Sequence, residues 1–304
     1  MGRDLPQPCD IRLGRQGFET LELTTANSSV VPLVVVTKDA IHPIGTAFCI
    51  SHVGVWVTAR HNLEGRDGAF DIRDRNPGSH IAILWIGSGL NHNVPSYIGG
   101  TVPVRSITRH PASGTDLALL FAEKPNVTFP ALTLSARLPV EGTPIVGLGY
   151  AQIEVSLIDK NPARPNIDIT PNLNVSSGTV NVLYENGRDT YRDYDGNFTG
   201  KLPTVCFETS ARFDSGMSGG PVLDPTGAVC GVISTGLDQH SDEVQYTSYA
   251  SGTPYLFMMK VAFGHNDKKI GVYELAERAI VLVDESFERL RVEESDDLTH
   301  VYYA

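Results

Sequence analysis

Several features that would define the class of this protein are scarce or missing from its 304 residues. The sequence has no apolar run of about 18 residues, the length that a membrane-spanning helix needs. Basic residues are few, because 24 Lys and Arg stand against 35 Asp and Glu and give a formal net charge of −11. A chain with this charge repels a phosphate backbone. We therefore expect neither a membrane nor nucleic acid among its partners.

Cysteine is also scarce, and its spacing argues against the common thiol sites. Cys9, Cys49, Cys206 and Cys230 lie far apart and form no C-x-x-C pair, so we expect buried thiols in a reducing compartment. No H-E-x-x-H string and no phosphate-binding G-x-x-x-x-G-K-[ST] string occurs. The prediction is a protein without a metal or a cofactor. Because residues 1–10 carry no apolar segment of the signal-peptide kind, we also expect a cytoplasmic location.

The sequence does contain many short apolar runs rich in Val, Ile, Thr and Phe, separated by turn residues. This pattern is typical of an all-β protein. The predicted strands are 30–37, 45–50, 55–58, 81–86, 116–121, 144–149, 178–184, 205–209, 221–223 and 229–234. They fall into two groups, and the polar connection 132–142 between them marks the boundary of two β-units.

These groups define the predicted domain organisation. The segments are an N-terminal extension 1–29, a first β-unit 30–135, a second β-unit 136–262 and a C-terminal segment 263–304. From Val272 to Leu290, apolar residues recur every three or four positions, which predicts one amphipathic helix docked on the adjacent β-unit. Acidic residues over 293–297 predict a solvated tail.

Three segments each place a reactive side chain at the edge of a β-element: WVTARH ends at His61, TDLALL contains Asp116, and DSGMSGGPV contains Ser218. The first two lie in the first β-unit and the third in the second, so they can meet only across a cleft between units. A serine hydroxyl becomes a nucleophile when a base takes its proton. An imidazole is such a base, and a buried carboxylate fixes its tautomer. Nucleophilic catalysis therefore needs the three residue types found here.

The glycines around Ser218 fit the same chemistry. Attack on a carbonyl places negative charge on its oxygen, which backbone N–H groups stabilise if no side chain obstructs them. Gly216 and Ser218 are the predicted donors. Gly219 and Gly220 let the backbone pass close to a substrate.

The strings TARH, TDLALL and GMSGGPV, in this order on two β-units, resemble the chymotrypsin/trypsin-like serine peptidases, and the disulfide-free form resembles the bacterial HtrA-type branch. The resemblance covers residues 30–262. It implies two six-stranded antiparallel β-barrels with the active site between them, and a polypeptide as substrate. It also implies that His61 is the general base, Asp116 its orienter and Ser218 the nucleophile, with an oxyanion hole formed by Gly216 and Ser218.

The same resemblance suggests where a substrate lies. The segment 231–236 resembles the family's strand that pairs with the substrate backbone, and Ser234 is expected to support Asp116. The predicted substrate-binding residues are Arg212, Phe213, Ser234, Thr235 and Gly236. No aspartate is placed at the base of the pocket that would hold the substrate residue before the cleaved bond. We therefore expect this substrate residue not to be basic.

Two residues depart from the family pattern. Asn62 stands where animal members have a cysteine, so we expect the usual disulfide beside the active site to be absent. Met217 stands where trypsin-like zymogens have an aspartate that captures a new N-terminal amine, so activation by that ion pair is not expected. The oxyanion loop must therefore be ordered constitutively, by substrate or by an activating partner protein. Because few residues follow Phe263, we expect no PDZ-like module after the second β-unit.

The main hypothesis is thus a serine endopeptidase that acts through an acyl-enzyme, either active alone or latent until its oxyanion loop is ordered. The alternative is a non-cleaving, peptide-binding or chaperone-like module on the same fold.

Overall fold

The structure is a computed structural model that describes most of the chain. The described residues are 11–14, 17–20, 28–64, 78–91, 94–111, 115–123, 127–151, 153, 155–159, 166–169, 173–184, 191–192, 198–200, 205–237, 247–263, 269–294 and 299–303. Most of the predicted N-terminal extension, and Cys9 with it, lies outside them.

The described elements are mainly β-strands. In chain order they are β1 (Ile11–Gly14), β2 (Gly17–Thr20), β3 (Val30–Val36), β4 (Ile41–Ser51), β5 (Val55–Thr58), β6 (His80–Asn91), β7 (Val94–Pro103), β8 (Ser106–Arg109), β9 (Ala118–Phe121), β10 (Pro144–Tyr150), β11 (Val155–Asp159), β12 (Asn166–Ile169), β13 (Leu173–Tyr184), β14 (Tyr191–Arg192), β15 (Phe198–Gly200), β16 (Cys206–Thr209), β17 (Pro221–Leu223), β18 (Val229–Leu237), β19 (Thr247–Gly252), β20 (Lys260–Ala262), β21 (Lys269–Gly271), β22 (Leu290–Glu294) and β23 (Thr299–Tyr303). Helical turns are short: an α-helix over Val272–Glu277 and 3₁₀ helices over Arg60–Asn62, Thr253–Met258 and Glu285–Arg289.

The first β-unit is a seven-stranded antiparallel sheet in the order β7-β6-β3-β4-β5-β9-β8. Its strands are apolar on both faces, as β3 illustrates. Val31, Leu33 and Val35 belong to one buried cluster, whereas Val30 faces another cluster that is shared with the second unit. Alternate residues of a strand point to opposite faces, so a continuous Val/Leu run is what a sheet covered on both sides requires.

The second β-unit is a closed barrel in the order β10-β13-β16-β19-β18-β17. Its interior is filled by alternate residues of the strands, among them Ile145, Phe207, Ile233 and Ala250. The remaining strands pair as two-stranded hairpins: β1 with β2, β11 with β12, β14 with β15, β20 with β21, and β22 with β23.

The predicted fold class is confirmed: the protein is all-β and antiparallel, with a seven-stranded sheet and a closed six-stranded barrel as its two main units. The first unit differs in detail from the six-stranded barrel that was expected. It has seven strands, and the pairing of the described residues does not join the outer strands β7 and β8. The predicted domain boundary after residue 135 falls in the connection between the two sheets and stays a prediction.

The C-terminal segment corrects the prediction of one helix over 272–290. The helix begins at Val272 as expected but ends at Glu277, and Ala279 takes a left-handed backbone conformation with φ 54°. Beyond it, Val281 bridges to Ser51 of the first unit and Val283 bridges to Leu134. The apolar spacing thus arises because several short pieces face the same core, where backbone pairing outweighs helix propensity.

The end of the chain also differs from the predicted acidic tail. Glu293 and Glu294 are the last residues of β22, and this strand pairs with β23 in a hairpin. Residues 295–298 lie outside the described part of the chain. In the part that the structure describes, no helix has both the length and the apolar character needed to cross a membrane.

Candidate active site

His61 and Asp116 are brought together by strand pairing in the first unit. His61 lies in the 3₁₀ turn directly after β5, Asp116 lies two residues before β9, and β5 pairs with β9 so that Thr58 faces Ala118. The backbone N–H of His61 donates to Asp116 Oδ1 at 2.9 Å, and His61 Nδ1 lies 2.8 Å from Asp116 Oδ2. Because Nδ1 faces a carboxylate oxygen, it carries the proton in the neutral ring. Nε2 is then left as the basic nitrogen.

Asp116 is also held from the second unit. The Ser234 hydroxyl donates to Asp116 Oδ2 at 2.6 Å, so the predicted contact between these residues is present. Asp116 is only 7% exposed and Ser234 only 2%. A buried carboxylate is tolerated when it accepts several hydrogen bonds, which is the case for Asp116.

The imidazole of His61 has a raised pKa. Burial by itself lowers the pKa, but the negative charge of Asp116 and the hydrogen bond to it outweigh that effect, so the net pKa lies above the ordinary value of 6.5. The side chain keeps 45% of its surface exposed, which leaves the ring accessible from the cleft. A raised pKa makes this ring a stronger proton acceptor than an isolated imidazole.

Ser218 belongs to the loop between β16 and β17 of the barrel. Its backbone carbonyl accepts hydrogen bonds from the N–H of Thr46 at 2.9 Å and from Asn62 Nδ2 at 2.8 Å, both from the first unit. The Ser218 hydroxyl donates to the carbonyl oxygen of Ser234 at 3.0 Å. The described contacts include no hydrogen bond between Ser218 and His61. The structure therefore brings the three predicted side chains to one inter-unit site, with Ser218 Oγ hydrogen-bonded to a backbone carbonyl.

The loop around Gly216, for which the sequence predicts an oxyanion hole, has a defined conformation. Gly216 has φ 98°, in the left-handed region that favours glycine. The Met217 carbonyl accepts from the N–H of Gly220 at 2.9 Å. In a trans peptide the N–H points opposite to the carbonyl, so the N–H of Ser218 points away from this turn. Within the described part of the chain, neither the Gly216 nor the Ser218 N–H has a hydrogen-bond partner.

The predicted substrate-binding residues lie in different environments. Phe213 is 5% exposed and belongs to the barrel core, where it contacts Gly147. Arg212 is exposed and its Nε lies 2.6 Å from Asp214 Oδ1. Ser234 is buried beside Asp116, and Thr235 and Gly236 follow it in β18. A role in substrate binding stays a prediction for all five residues.

Two polar residues of the site were not predicted from the sequence. Thr46 is fully buried in β4, and Asn62 is 5% exposed beside His61. The sequence pattern singles out Asn62 only as the replacement for a cysteine. A lone threonine within the apolar run of β4 was the available signal for Thr46, because a buried hydroxyl needs partners.

A second histidine, His110, is buried. It is 3% exposed, and its ring packs against Tyr255 with centroids 5.8 Å apart. The cysteines Cys49, Cys206 and Cys230 are buried, as predicted. Burial raises the pKa of the Cys49 thiol to about 12. No cluster of three or more His, Cys, Asp or Glu side chains suited to a metal ion occurs among the residues described.

A comparison with protein families identifies the class of this fold and site. The family described as trypsin-like peptidase domain matches residues 45–232, which include His61, Asp116 and Ser218. The chain belongs to this family.

Solved structures of proteases are similar to the chain at low identity. They include the active form of the Rv3671c protease from M. tuberculosis, with 17% identity, a TM-score of 0.47, and coverage of 76% of this chain and 78% of that one. Deg5 has 16% identity and a TM-score of 0.46, with coverage of 75% and 84%. The MamO protease domain from Magnetospirillum magneticum has 12% identity and a TM-score of 0.44, with coverage of 74% and 92%. The search of curated proteins found no match.

Proposed function

We propose that this protein is a serine endopeptidase that hydrolyses peptide bonds through Ser218, His61 and Asp116. One observation carries the proposal. Ser234 contacts both sides of the site: its carbonyl accepts a hydrogen bond from Ser218 Oγ, and its hydroxyl donates to Asp116, which also accepts from His61 Nδ1. It links a hydroxyl of one unit to an imidazole–carboxylate pair of the other.

The reaction follows from these positions. The Ser218 side chain rotates and breaks its hydrogen bond to the Ser234 carbonyl. Its Oγ then attacks the carbonyl carbon of the substrate while His61 Nε2 takes the hydroxyl proton. The oxyanion accepts hydrogen bonds from the N–H groups of Gly216 and Ser218. The C–N bond then breaks as His61 returns the proton to the leaving amine. Water, deprotonated by the same imidazole, hydrolyses the ester and regenerates Ser218.

Asp116 acts on the base rather than on the substrate. It holds His61 in the tautomer with Nε2 free and stabilises the imidazolium that forms during attack. The raised pKa of His61 has this charge as a cause, so the ring is a stronger base than an isolated imidazole.

One observation favours the alternative, a peptide-binding module that does not cleave. Ser218 Oγ donates to the Ser234 carbonyl instead of to His61. A hydroxyl held in this way is not activated until it rotates about its Cα–Cβ bond. The two functions differ in turnover, which is therefore the quantity to measure.

Peptide cleavage separates them directly. The purified chain is incubated with a proteome-derived peptide library, and new termini are identified by mass spectrometry. We expect defined cleavage sites with wild-type protein and none with Ser218→Ala, because the substitution removes the nucleophile and little volume. Binding of peptides without new termini in the wild type would replace the endopeptidase proposal with the alternative. Equal cleavage by Ser218→Ala would exclude Ser218 as nucleophile.

A further inference from the structure

Polar side chains of the first unit form hydrogen bonds to the backbone of the oxyanion loop, residues 214–220. Thr46 Oγ1 donates to the carbonyl of Gly216 at 2.8 Å and accepts the N–H of Tyr150 at 2.9 Å. The hydroxyl thus uses its donor on the loop and an acceptor position on the barrel strand β10. Both partners are backbone groups, and Thr46 itself is fully buried.

A second set of hydrogen bonds to this loop involves Asn62, the residue that follows His61. Asn62 Nδ2 donates to the carbonyl of Ser218 at 2.8 Å and to Thr58 Oγ1 at 3.1 Å, while Thr58 Oγ1 donates to the Thr46 carbonyl at 2.7 Å. The backbone N–H of Thr46 donates to the same Ser218 carbonyl. Thr46, Thr58 and Asn62 therefore form one connected group, the inter-unit clamp, that binds two carbonyls of the loop.

The loop contains the residue at which the family pattern differs. Met217 is 1% exposed, and its side chain packs in the barrel core. Its sulfur accepts the N–H of Asp214 at 3.4 Å, and its own N–H donates to the Asp214 carbonyl at 3.0 Å. An apolar anchor stands at the position where trypsin-like zymogens form an ion pair.

We infer that Thr46, within the inter-unit clamp, is the positioning residue that orders the oxyanion loop in the chain on its own. The hydrogen bond to the Gly216 carbonyl fixes the peptide that joins Gly216 to Met217. The hydrogen bonds to the Ser218 carbonyl fix the peptide that joins Ser218 to Gly219. Between these two points, the turn from Met217 to Gly220 sets the direction of the Ser218 N–H. Substrate and partner protein are then not needed for ordering. This inference rests on the proposed function.

The packing around the clamp leaves it little freedom to rearrange. A Cβ at Gly45 would lie 2.3 Å from Asn62 Nδ2, and a Cβ at Gly219 would lie 2.2 Å from the Thr46 carbonyl oxygen. Glycine at these two positions allows the clamp and the loop to approach each other. A closely packed polar group of this kind holds one geometry rather than several.

The test compares three threonine variants. Thr46→Val keeps the shape and removes the hydroxyl, whereas Thr46→Ser keeps the hydroxyl. Thr253→Val is the matched control, because Thr253 is also fully buried and its hydroxyl donates to the Ser135 carbonyl at 2.7 Å, on a 3₁₀ helix that is not part of the clamp. Circular dichroism and thermal melting establish that each variant is folded.

Steady-state kinetics on a cleaved peptide gives the first readout. We expect Thr46→Val to lower kcat by about 10²- to 10³-fold with little change in KM, the loss typical of an oxyanion donor that acts in the transition state. Thr46→Ser should restore kcat to within about threefold, and Thr253→Val should leave kcat near the wild-type value while lowering the melting temperature. A folded Thr46→Val with wild-type kcat, or a Thr46→Ser as impaired as Thr46→Val, would overturn the inference.

Hydrogen exchange gives a readout that does not depend on turnover. Thr46→Val should increase deuterium uptake in the segment 214–220 relative to wild type, Thr46→Ser and Thr253→Val. Unchanged protection of this segment would overturn the inference whatever the activity. Increased uptake together with an inactive wild-type protein would instead count against the proposed endopeptidase and leave the ordering role of Thr46 in place.

Discussion

At the scale of single residues, Asp116 is the point where groups of both units meet in the proposed active site. It accepts hydrogen bonds on both carboxylate oxygens, from the backbone and ring of His61 and from Ser234. The carboxylate is nearly buried, whereas the imidazole remains partly exposed. The charge of Asp116 is therefore the reason that the pKa of His61 is raised although burial opposes it.

This pKa predicts the pH dependence of cleavage. The base must be neutral, so kcat/KM should rise with pH through a midpoint above 6.5. Asp116→Asn removes the charge and leaves the burial, so the His61 pKa should fall below the ordinary value. Its kcat/KM should also drop by roughly 10⁴-fold, because the amide stabilises the wrong tautomer.

The measurement is kcat/KM from about pH 5 to about pH 9, combined with an NMR titration of His61 in Ser218→Ala. A His61→Gln spectrum assigns the resonance. A midpoint that is the same in wild type and Asp116→Asn would contradict an electrostatic origin of the raised His61 pKa.

At the scale of elements, strand pairing explains what the sequence could and could not predict. All ten predicted strands exist, because each combines apolar side chains with turn residues at its ends. Other strands were missed, β7 and β19 among them. β19 has the sequence TSYASG, and its small polar residues Ser248 and Ser251 are buried inside the barrel sheet. Backbone hydrogen bonds to β16 and β18 define that strand, and no hydrophobic pattern in its sequence predicts it.

The residues of the site also divide into those that the sequence could predict and those that it could not. His61, Asp116 and Ser218 could be proposed because their short motifs occur in a recognisable order. The clamp could not, since Thr46 and Asn62 acquire their partners only when two units far apart in sequence meet. The hydrogen bond from Thr46 to Gly216 spans 170 positions along the chain.

The contact between loop and first unit predicts a large cost for one glycine substitution. Gly219 has φ 87°, and an added Cβ would lie 2.2 Å from the Thr46 carbonyl oxygen and 2.3 Å from Thr58 Oγ1. Gly142 has φ 81°, and an added Cβ there would meet open space. In both Gly→Ala variants the free energy of unfolding should fall by about 1–2 kcal/mol, because alanine is strained in a left-handed backbone conformation. Gly219→Ala should lose a further ~1–3 kcal/mol because the units must separate.

Urea denaturation of the two variants measures this difference, with Gly142→Ala as the matched control. Equal midpoints for Gly142→Ala and Gly219→Ala would mean that the close inter-unit approach at Gly219 is absent in solution.

At the scale of the whole molecule, one buried cluster joins the two units and the C-terminal segment. It contains Val30 and Phe48 of the first sheet, Leu148 of the barrel, and Leu275 and Val281 near the C-terminus. The sequence indicated that residues after 262 would pack on a β-unit, and this packing is present. Their division into a short helix, two bridges and a hairpin could not be predicted, because it depends on which backbone edges the rest of the fold leaves open.

The inter-unit packing fixes the relative position of His61 and Ser218, the proposed base and nucleophile, and this position is the central claim. It predicts that the purified chain, without any partner, reacts with a fluorophosphonate, whose phosphorus is attacked by an activated serine oxygen as fluoride leaves. Intact-mass and peptide mapping should find one adduct per chain, on Ser218, absent in Ser218→Ala and formed much more slowly in His61→Ala. A wild-type chain that is folded and gains no adduct, or an adduct that persists in Ser218→Ala, would contradict the claim.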